Sequence, residues 1–223
     1  MTFAVSILHC FAEQIPGGLF NLENIRNAGR KLLFPLVSLL AAIGMGPFSV
    51  TTIGLLMTAV AACFIWDGNF IAGVAFFIVG SILDAVDGEL ARRKNAESVA
   101  GAVFDSCCDR IGEVLIFGAL LAGKAGEAHH VMVYLVPAAI GGSFMVSYIR
   151  ARAEGLDLSC SVGLFTRTER LVLLMAGLVA AGLWDTQALV IMLIVLAAGS
   201  WFTAGQRFAK VIRDGRGISL NKE

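Results

Sequence analysis

Apolar residues occur in long runs along this chain, and short polar segments separate the runs. The pattern predicts six membrane-spanning helices, because each run approaches the roughly 20 residues that cross a bilayer once its polar ends are included. An apolar segment before them is interrupted by Pro35 and preceded by basic residues, so it is predicted to be an amphipathic helix at the membrane interface. We predict the spans at residues 50–66, 69–83, 98–123, 130–149, 171–184 and 187–206.

Composition supports a membrane protein. Of 223 residues, 57% are apolar and only 15% are charged, which is more apolar than ordinary soluble domains. The net charge of zero gives no global field for binding nucleic acid. The cysteines show no metal-ligand spacing, so we predict buried or free thiols rather than a disulfide framework. We expect an all-α integral membrane protein with one domain over residues 1–223, comprising an interfacial helix and connection at about 23–45 and a six-helix bundle at about 50–208.

Basic residues predict the orientation of the spans. If the spans alternate, every Lys and Arg except Lys124 and Arg110 falls on one side. The positive-inside rule then places both termini in the cytoplasm, and Trp66 and Trp184 at the outer helix ends. We therefore expect a multi-pass protein of the cell membrane, with its polar site on the cytoplasmic side.

Four aspartates between the second and third spans have helical spacing. The polar link at residues 93–97 is short, so the two helices are expected to be antiparallel neighbours whose polar faces converge. Glycines on these faces allow close approach of a backbone or a ligand. One face carries Asp84, Asp87, Gly88, Ala91 and Arg92, and the other carries Gly101, Asp105 and Asp109.

Four converging carboxylates require positive charge among them, because they repel strongly in a low-dielectric setting. Hard oxygen ligands favour Mg²⁺, Mn²⁺ or Ca²⁺ over zinc, and four carboxylates suit two ions that share ligands. Such a pair suits phosphoryl chemistry, with the guanidinium of Arg92 directed at the same phosphates. Two other interpretations are helix-end charges paired with Arg92, Arg93 and Lys94, and a proton or cation pathway, which would spread carboxylates across the membrane.

The aspartate segment resembles the signature of the CDP-alcohol phosphotransferase (CDP-alcohol phosphatidyltransferase) family, D-x2-D-G-x2-A-R-x8-G-x3-D-x3-D, at every fixed position. Six spans behind an interfacial helix resemble the family as well. The resemblance implies transfer of a phosphatidyl group from a CDP-linked lipid to an alcohol, release of CMP, two Mg²⁺ or Mn²⁺ ions, and a homodimer. It implies Asp109 as general base and as a metal ligand together with Asp84, Asp87 and Asp105.

The resemblance also implies contacts to the CDP-linked lipid. The family usually carries a nucleotide-contacting segment, P-N-x-x-T, before the first span. This chain has P-F-S-V-T there, ending at Thr51, so Phe48 stands where Asn is usual. The implied contacts are Pro47, Phe48, Ser49, Val50, Gly88, Arg92 and Ser98.

A second polar cluster, the arginine segment at residues 147–174, concerns the acceptor alcohol. Its arginines suit an acceptor that carries a phosphate, although positive-inside charge facing anionic lipid is an alternative. Its pattern S-Y-x-R-A-R-A-E followed by R-x-E-R resembles the branch of the family that uses inositol 1-phosphate and makes phosphatidylinositol phosphate or its ether-lipid equivalent. Glycerol 3-phosphate is the alternative acceptor, and a divalent-cation transporter and a non-catalytic scaffold are the alternatives of other classes. The candidate acceptor-binding residues are Arg150, Arg152, Arg167 and Arg170.

Overall fold

The computed structural model describes residues 34–216, and within this range the protein is all-helical without a strand. The predicted all-α class is therefore confirmed. The predicted interfacial helix lies partly outside the described residues. The eight helices of the described range are α1 (34–42), α2 (Pro47–Trp66), α3 (Phe70–Arg93), α4 (Val99–Ala122), α5 (Lys124–Ala128), α6 (Met132–Glu154), α7 (Arg167–Leu183) and α8 (Gln187–Asp214).

Four of the described helices, α2, α3, α6 and α8, are long and apolar enough to cross a membrane. The other two predicted spans correspond to α4 and α7. Helix α4 carries Asp105, Asp109, Arg110 and Glu113 along its length, and α7 has only 17 residues. The six-span layout thus stays a prediction, and α4 and α7, the two predicted spans outside the four, both carry charged residues of the candidate site.

The helices that carry the aspartates begin at polar caps. The side chain of Asn69 accepts a hydrogen bond from the backbone N–H of Ala72 at 3.3 Å at the start of α3. Ser98 caps α4 in the same way, accepting from the N–H of Gly101 at 3.0 Å. Both caps satisfy donors that a helix start leaves free. Helix α3 then continues to Arg93, well past the apolar part of the predicted second span.

The backbones of α2 and α3 approach closely, and this sets the position of the aspartates. A Cβ atom on Gly80 would lie 2.8 Å from the carbonyl oxygen of Gly54 and 2.7 Å from the hydroxyl of Thr58. Small residues allow such packing where helices meet in a membrane. Helix α2 also packs against α4, and α8 packs against α6 and α7. The buried core between these helices includes Ile65, Ile116, Leu120, Met132, Leu178, Leu189 and Leu193.

The outer surfaces of the bundle are strongly apolar, as expected of helices that contact lipid. Trp66 and Trp184 are 53% and 80% exposed at the ends of α2 and α7. The four cysteines that the structure describes are unpaired, and burial raises the pKa of the Cys160 thiol. Other large exposed apolar side chains include Leu56, Ile78, Ile191 and Phe202.

Helix α1 lies against the end of α3 that carries the aspartates. Val37 of α1 is 1% exposed within a small apolar cluster. Arg93 donates a hydrogen bond to the hydroxyl of Ser38 at 2.6 Å. Lys94 donates to the carbonyl oxygen of Met45, also at 2.6 Å. These contacts hold α1 and the connection after it against the polar end of α3.

Candidate active site

The polar faces of α3 and α4 meet, as their spacing predicts. The two helices run antiparallel through a short link in which Asn95 adopts a positive φ of 49°. One carboxylate oxygen each from Asp84, Asp105 and Asp109 can be chosen so that all lie within 4.8 Å of one another. The carboxylates therefore form one cluster at the interface of two helices.

Asp87, the fourth aspartate of the segment, is more buried than the other three. Its side chain is only 6% exposed, and its carboxylate accepts a hydrogen bond from the hydroxyl of Thr51 on α2. Thr51 was not among the site residues predicted from the sequence. The signal was present, because Thr51 is the last residue of the P-F-S-V-T segment.

Positive charge reaches the aspartates from α7. The guanidinium of Arg167 donates to Asp109 and, at 3.2 Å, to Asp84. Arg110 follows Asp109 in α4, and one of its guanidinium nitrogens lies 3.8 Å from the Asp109 carboxylate. Arg167 thus bridges a carboxylate of α3 and a carboxylate of α4, and α7 is fixed against both helices.

The basic residues at the end of α3 do not neutralise the aspartates. Arg92 pairs with Glu89 at 2.7 Å, while Arg93 and Lys94 bind groups of the preceding segment. The alternative of solvated helix-end charges paired with these residues is therefore wrong. The cations that face the carboxylates are Arg110, next to Asp109, and Arg167, more than fifty residues further along the chain.

Two cavities flank the aspartates. The smaller, about 40 Å³, is lined by Asp84, Asp109, Arg167 and Glu113, among others. The larger, about 190 Å³, is lined by Asp87 and Asp105 together with five of the predicted CDP-lipid contacts. Those five are Pro47, Phe48, Gly88, Arg92 and Ser98.

Two predicted CDP-lipid contacts lie elsewhere. Val50 is fully buried in the apolar cluster between α1, α2 and α3. Ser49 is exposed and does not line the larger cavity. A segment that continues as a helix points successive side chains in different directions, so neighbours of a contact residue need not share its role.

A buried polar network that was not predicted from the sequence lies one helical turn from Asp109. Glu113 is 7% exposed; it accepts from the hydroxyl of Ser143 at 2.6 Å and from Arg170 at 3.4 Å. Arg170 is 4% exposed and also donates to the carbonyl oxygen of Phe165 at 3.2 Å. The signal was the spacing of Glu113, four residues after Asp109 on the same helix face.

The remaining arginines of the arginine segment lie at the surface. Arg150 pairs with Glu154 at 2.7 Å, and both side chains are 55% exposed. Arg152 is also exposed. The structure therefore brings Arg167 to the aspartates, buries Arg170 beside Glu113, and leaves the other two in contact with solvent.

The donor set fits hard divalent cations. All the ligand atoms offered are carboxylate oxygens, which Mg²⁺ and Mn²⁺ prefer. The spacing of Asp84, Asp105 and Asp109 allows them to share an ion, and Asp87 lies on the adjoining turn of α3. The Arg167 guanidinium lies against Asp84 and Asp109, so a positively charged group fits among these carboxylates.

Comparisons with known proteins agree with this site. The chain is 31% identical over 191 residues to an archaetidylinositol phosphate synthase of Methanothermobacter thermautotrophicus, covering 85% of this chain and 93% of that protein. It is 34% identical over 196 residues to a phosphatidylinositol phosphate synthase of Mycobacterium marinum, covering 83% and 82%.

Solved structures of one protein share the fold. The phosphatidylinositol phosphate synthase of Mycobacterium tuberculosis with CDP-DAG bound has a TM-score of 0.75 and 28% identity, covering 81% of this chain and 94% of that one. Its complex with manganese and citrate has a TM-score of 0.73 and 29% identity, covering 80% and 88%. Residues 45–207, which include the aspartates, both cavities and Arg167, match the family model for CDP-alcohol phosphatidyltransferases. The chain therefore belongs to the CDP-alcohol phosphatidyltransferase family, whose members are membrane-bound transferases of phosphate-containing groups in phospholipid biosynthesis.

Proposed function

We propose that this enzyme transfers a phosphatidyl group, or its ether-lipid equivalent, from a CDP-linked lipid to inositol 1-phosphate, giving phosphatidylinositol phosphate and CMP. The observation that carries the proposal is the Arg167 guanidinium on Asp84 and Asp109. It puts a phosphate-binding group beside the carboxylate proposed as base. The names of the relatives support the same acceptor.

Asp84, Asp87, Asp105 and Asp109 are proposed to hold two divalent ions. When bound, the ions neutralise the pyrophosphate and polarise the phosphorus under attack. A protein that shares the fold has been solved with manganese. The larger cavity, where Arg92 lies beside Gly88, is the proposed place of the CDP part.

Asp109 is the proposed general base. An alcohol is a poor nucleophile near neutral pH, so a positioned carboxylate that takes its proton accelerates attack. The hydroxyl oxygen then bonds to the lipid-side phosphorus, the bond from that phosphorus to the bridging oxygen breaks, and CMP leaves. Arg92 and Arg167, each with a forked guanidinium, stabilise the negative charge on the phosphoryl oxygens.

The arginine segment is proposed to select the acceptor. Arg167 is the main partner of the acceptor's phosphate, because it is the arginine that reaches the aspartates. Arg150 and Arg152 contribute from the surface by attracting the anion. Arg170, held between Glu113 and Phe165, is a positioning residue that fixes the start of α7.

The membrane arrangement is proposed from the sequence and the family. Helices α4 and α7 cross the membrane with the four apolar helices, and the segment before α2 lies at the interface. The aspartates then face the cytoplasm, where inositol 1-phosphate and CMP are soluble, while the lipid tails stay in the bilayer. We also propose that the enzyme forms a homodimer, as the resemblance to the family implies.

Purified enzyme tests the proposal directly. CDP-diacylglycerol and Mg²⁺ are incubated with inositol 1-phosphate, glycerol 3-phosphate or unphosphorylated inositol, and CMP release is measured. We expect release with inositol 1-phosphate above the other two. CMP release with glycerol 3-phosphate alone would show that glycerol 3-phosphate, not inositol 1-phosphate, is the acceptor. If no acceptor gives CMP release, the proposed transfer is wrong.

A further inference from the structure

The guanidinium of Arg167 contacts the same carboxylates that are proposed to hold the ions. It donates to Asp109 and, at 3.2 Å, to Asp84. Oxygens of these two residues and of Asp105 lie within 4.8 Å of one another, so an ion among them is next to a guanidinium that contacts two of them. Like charges at short range repel strongly where water is partly excluded. The ion and Arg167 in this position therefore disfavour each other.

The start of α7 does not depend on Arg167 for its place. One turn further along the helix, Arg170 is 4% exposed and donates to Glu113 at 3.4 Å. Leu171 and Leu174 are buried in the core between the helices. These contacts fix the backbone from which Arg167 extends, so its side chain can change partners while the helix stays where it is.

The hydrogen bonds of Arg167 are incomplete in this position. Its Nε is buried and has no hydrogen-bond partner among the described residues, and a buried donor without a partner costs free energy. A phosphate group can accept from the whole fork of a guanidinium. The side chain is 24% exposed, so a soluble anion can reach it. The smaller cavity, about 40 Å³, borders the guanidinium and leaves room for it to turn.

We propose that Arg167 exchanges partners: divalent ions displace it from Asp84 and Asp109, and the released guanidinium then binds the phosphate of the acceptor. This inference rests on the proposed function and adds an order of binding to it. The ion and the acceptor bind cooperatively, because the first to bind separates Arg167 from the carboxylates and the second binds without that loss. A phosphorylated acceptor therefore binds well only to enzyme that already holds its ions.

Binding of Mn²⁺ to the purified full-length enzyme, without CDP-linked lipid or acceptor, tests the first half of the exchange. Electron paramagnetic resonance of free Mn²⁺ gives the dissociation constant. Arg167→Gln should bind Mn²⁺ about 10- to 150-fold more tightly than wild type, the equivalent of the charged hydrogen bonds that the ion no longer has to break.

Arg110→Gln is the matched control for loss of positive charge beside the carboxylates. It removes a guanidinium whose Nη1 lies 3.8 Å from the Asp109 carboxylate and makes no hydrogen bond within the described part of the chain. This variant should change the Mn²⁺ dissociation constant less than about fivefold, as expected for an ion pair without a hydrogen bond.

Binding of inositol 1-phosphate with and without saturating Mn²⁺ tests the second half of the exchange. Calorimetry gives both dissociation constants for wild type and for Arg167→Gln. Bound ions attract the phosphate directly, so Mn²⁺ should tighten binding in both proteins. The gain should be larger in wild type by the same factor of about 10 to 150, because Mn²⁺ also releases Arg167 there. A permanent ion pair predicts no such agreement between the two factors.

Arg167→Lys separates a folding defect from loss of the exchange. Its ammonium keeps the charge but lacks the fork that spans Asp84 and Asp109, so Mn²⁺ should bind more tightly than to wild type and less tightly than to Arg167→Gln. Melting temperatures show which variants fold. If Arg167→Gln does not fold, a Mn²⁺ affinity in folded Arg167→Lys no higher than in wild type would refute the exchange.

Three further results would overturn the exchange. These are unchanged or weaker Mn²⁺ binding in folded Arg167→Gln, equal gains in Arg167→Gln and Arg110→Gln, or the same effect of Mn²⁺ on inositol 1-phosphate binding in wild type and Arg167→Gln. Wild-type enzyme that shows the exchange but releases no CMP would instead defeat the proposed function alone.

Discussion

The aspartate face of α3 and α4 and the arginine segment at residues 147–174 are both polar, yet they differ in what holds their charges in place. The aspartates lie on two consecutive helices joined by a short link, and their carboxylates form one cluster. The arginines lie on α6 and α7, and the structure separates them into three environments.

This difference shows where helical spacing predicts the positions of charged side chains and where it does not. Within one pair of helices, residues four apart share a face, so a set of like charges stays together. Across a loop, each side chain is placed by its own partners: Arg167 by Asp84 and Asp109, and Arg170 by Glu113. A common charge therefore does not imply a common role.

The aspartate face gives the largest expected effect. Asp109→Asn removes the proposed base and should lower kcat by at least the roughly 10²- to 10⁴-fold that general base catalysis supplies. CMP release at saturating substrates measures it. The matched control is Asp67→Asn, an exposed aspartate paired with Lys124 at the other end of α2, which should keep normal turnover. Near-normal kcat in Asp109→Asn would remove the base assignment.

The buried arginine should affect folding rather than acceptor binding. Arg170→Met leaves the Glu113 carboxylate buried without its cation, which costs about 3–5 kcal/mol of unfolding free energy. Unfolding in detergent measures the loss. Adding Glu113→Leu should recover most of it, because an apolar pair replaces a buried charge pair at little net cost.

A different result would assign Arg170 to acceptor binding, as the sequence predicts. If Arg170→Met with Glu113→Leu folds normally but shows a large rise in KM for inositol 1-phosphate, the arginine binds substrate. A rise no larger than threefold, with kcat retained, supports the positioning role.

Arg167 should show the strongest acceptor effect among the arginines. Arg167→Ala removes charged hydrogen bonds worth about 1.5–3 kcal/mol, so kcat/KM for inositol 1-phosphate should fall about 10- to 150-fold. Arg167→Lys keeps the charge but loses the planar fork, and should recover only part of the loss. Equal losses with unphosphorylated inositol as acceptor would show that Arg167 does not recognise the phosphate.

The sequence predicted the parts of the molecule that local rules determine. The helices follow from apolar runs and caps such as Ser98, and the convergence of Asp84 with Asp105 and Asp109 follows from spacing. The partners of Arg167 and the burial of Glu113 depend on how α7 packs against α4. That packing joins residues more than fifty positions apart, which no local pattern encodes.

Arg150 gives the smallest expected effect and the sharpest contrast with Arg167. Its side chain is 55% exposed and already paired with Glu154, so its attraction for an anionic acceptor acts through water and is worth about 0.2–1 kcal/mol. Arg150→Ala should raise KM for inositol 1-phosphate about 1.5- to 5-fold at low salt, and the effect should vanish at 1 M salt, where the Debye length is about 3 Å. The Arg167→Ala defect should persist at that salt, because a contact within the site is screened far less.

Arg213→Ala, which removes an exposed arginine near the end of α8, controls for the general loss of surface charge. If Arg150→Ala matches Arg167→Ala in size and in resistance to salt, the two arginines act together in one acceptor pocket, and the contrast between them is wrong.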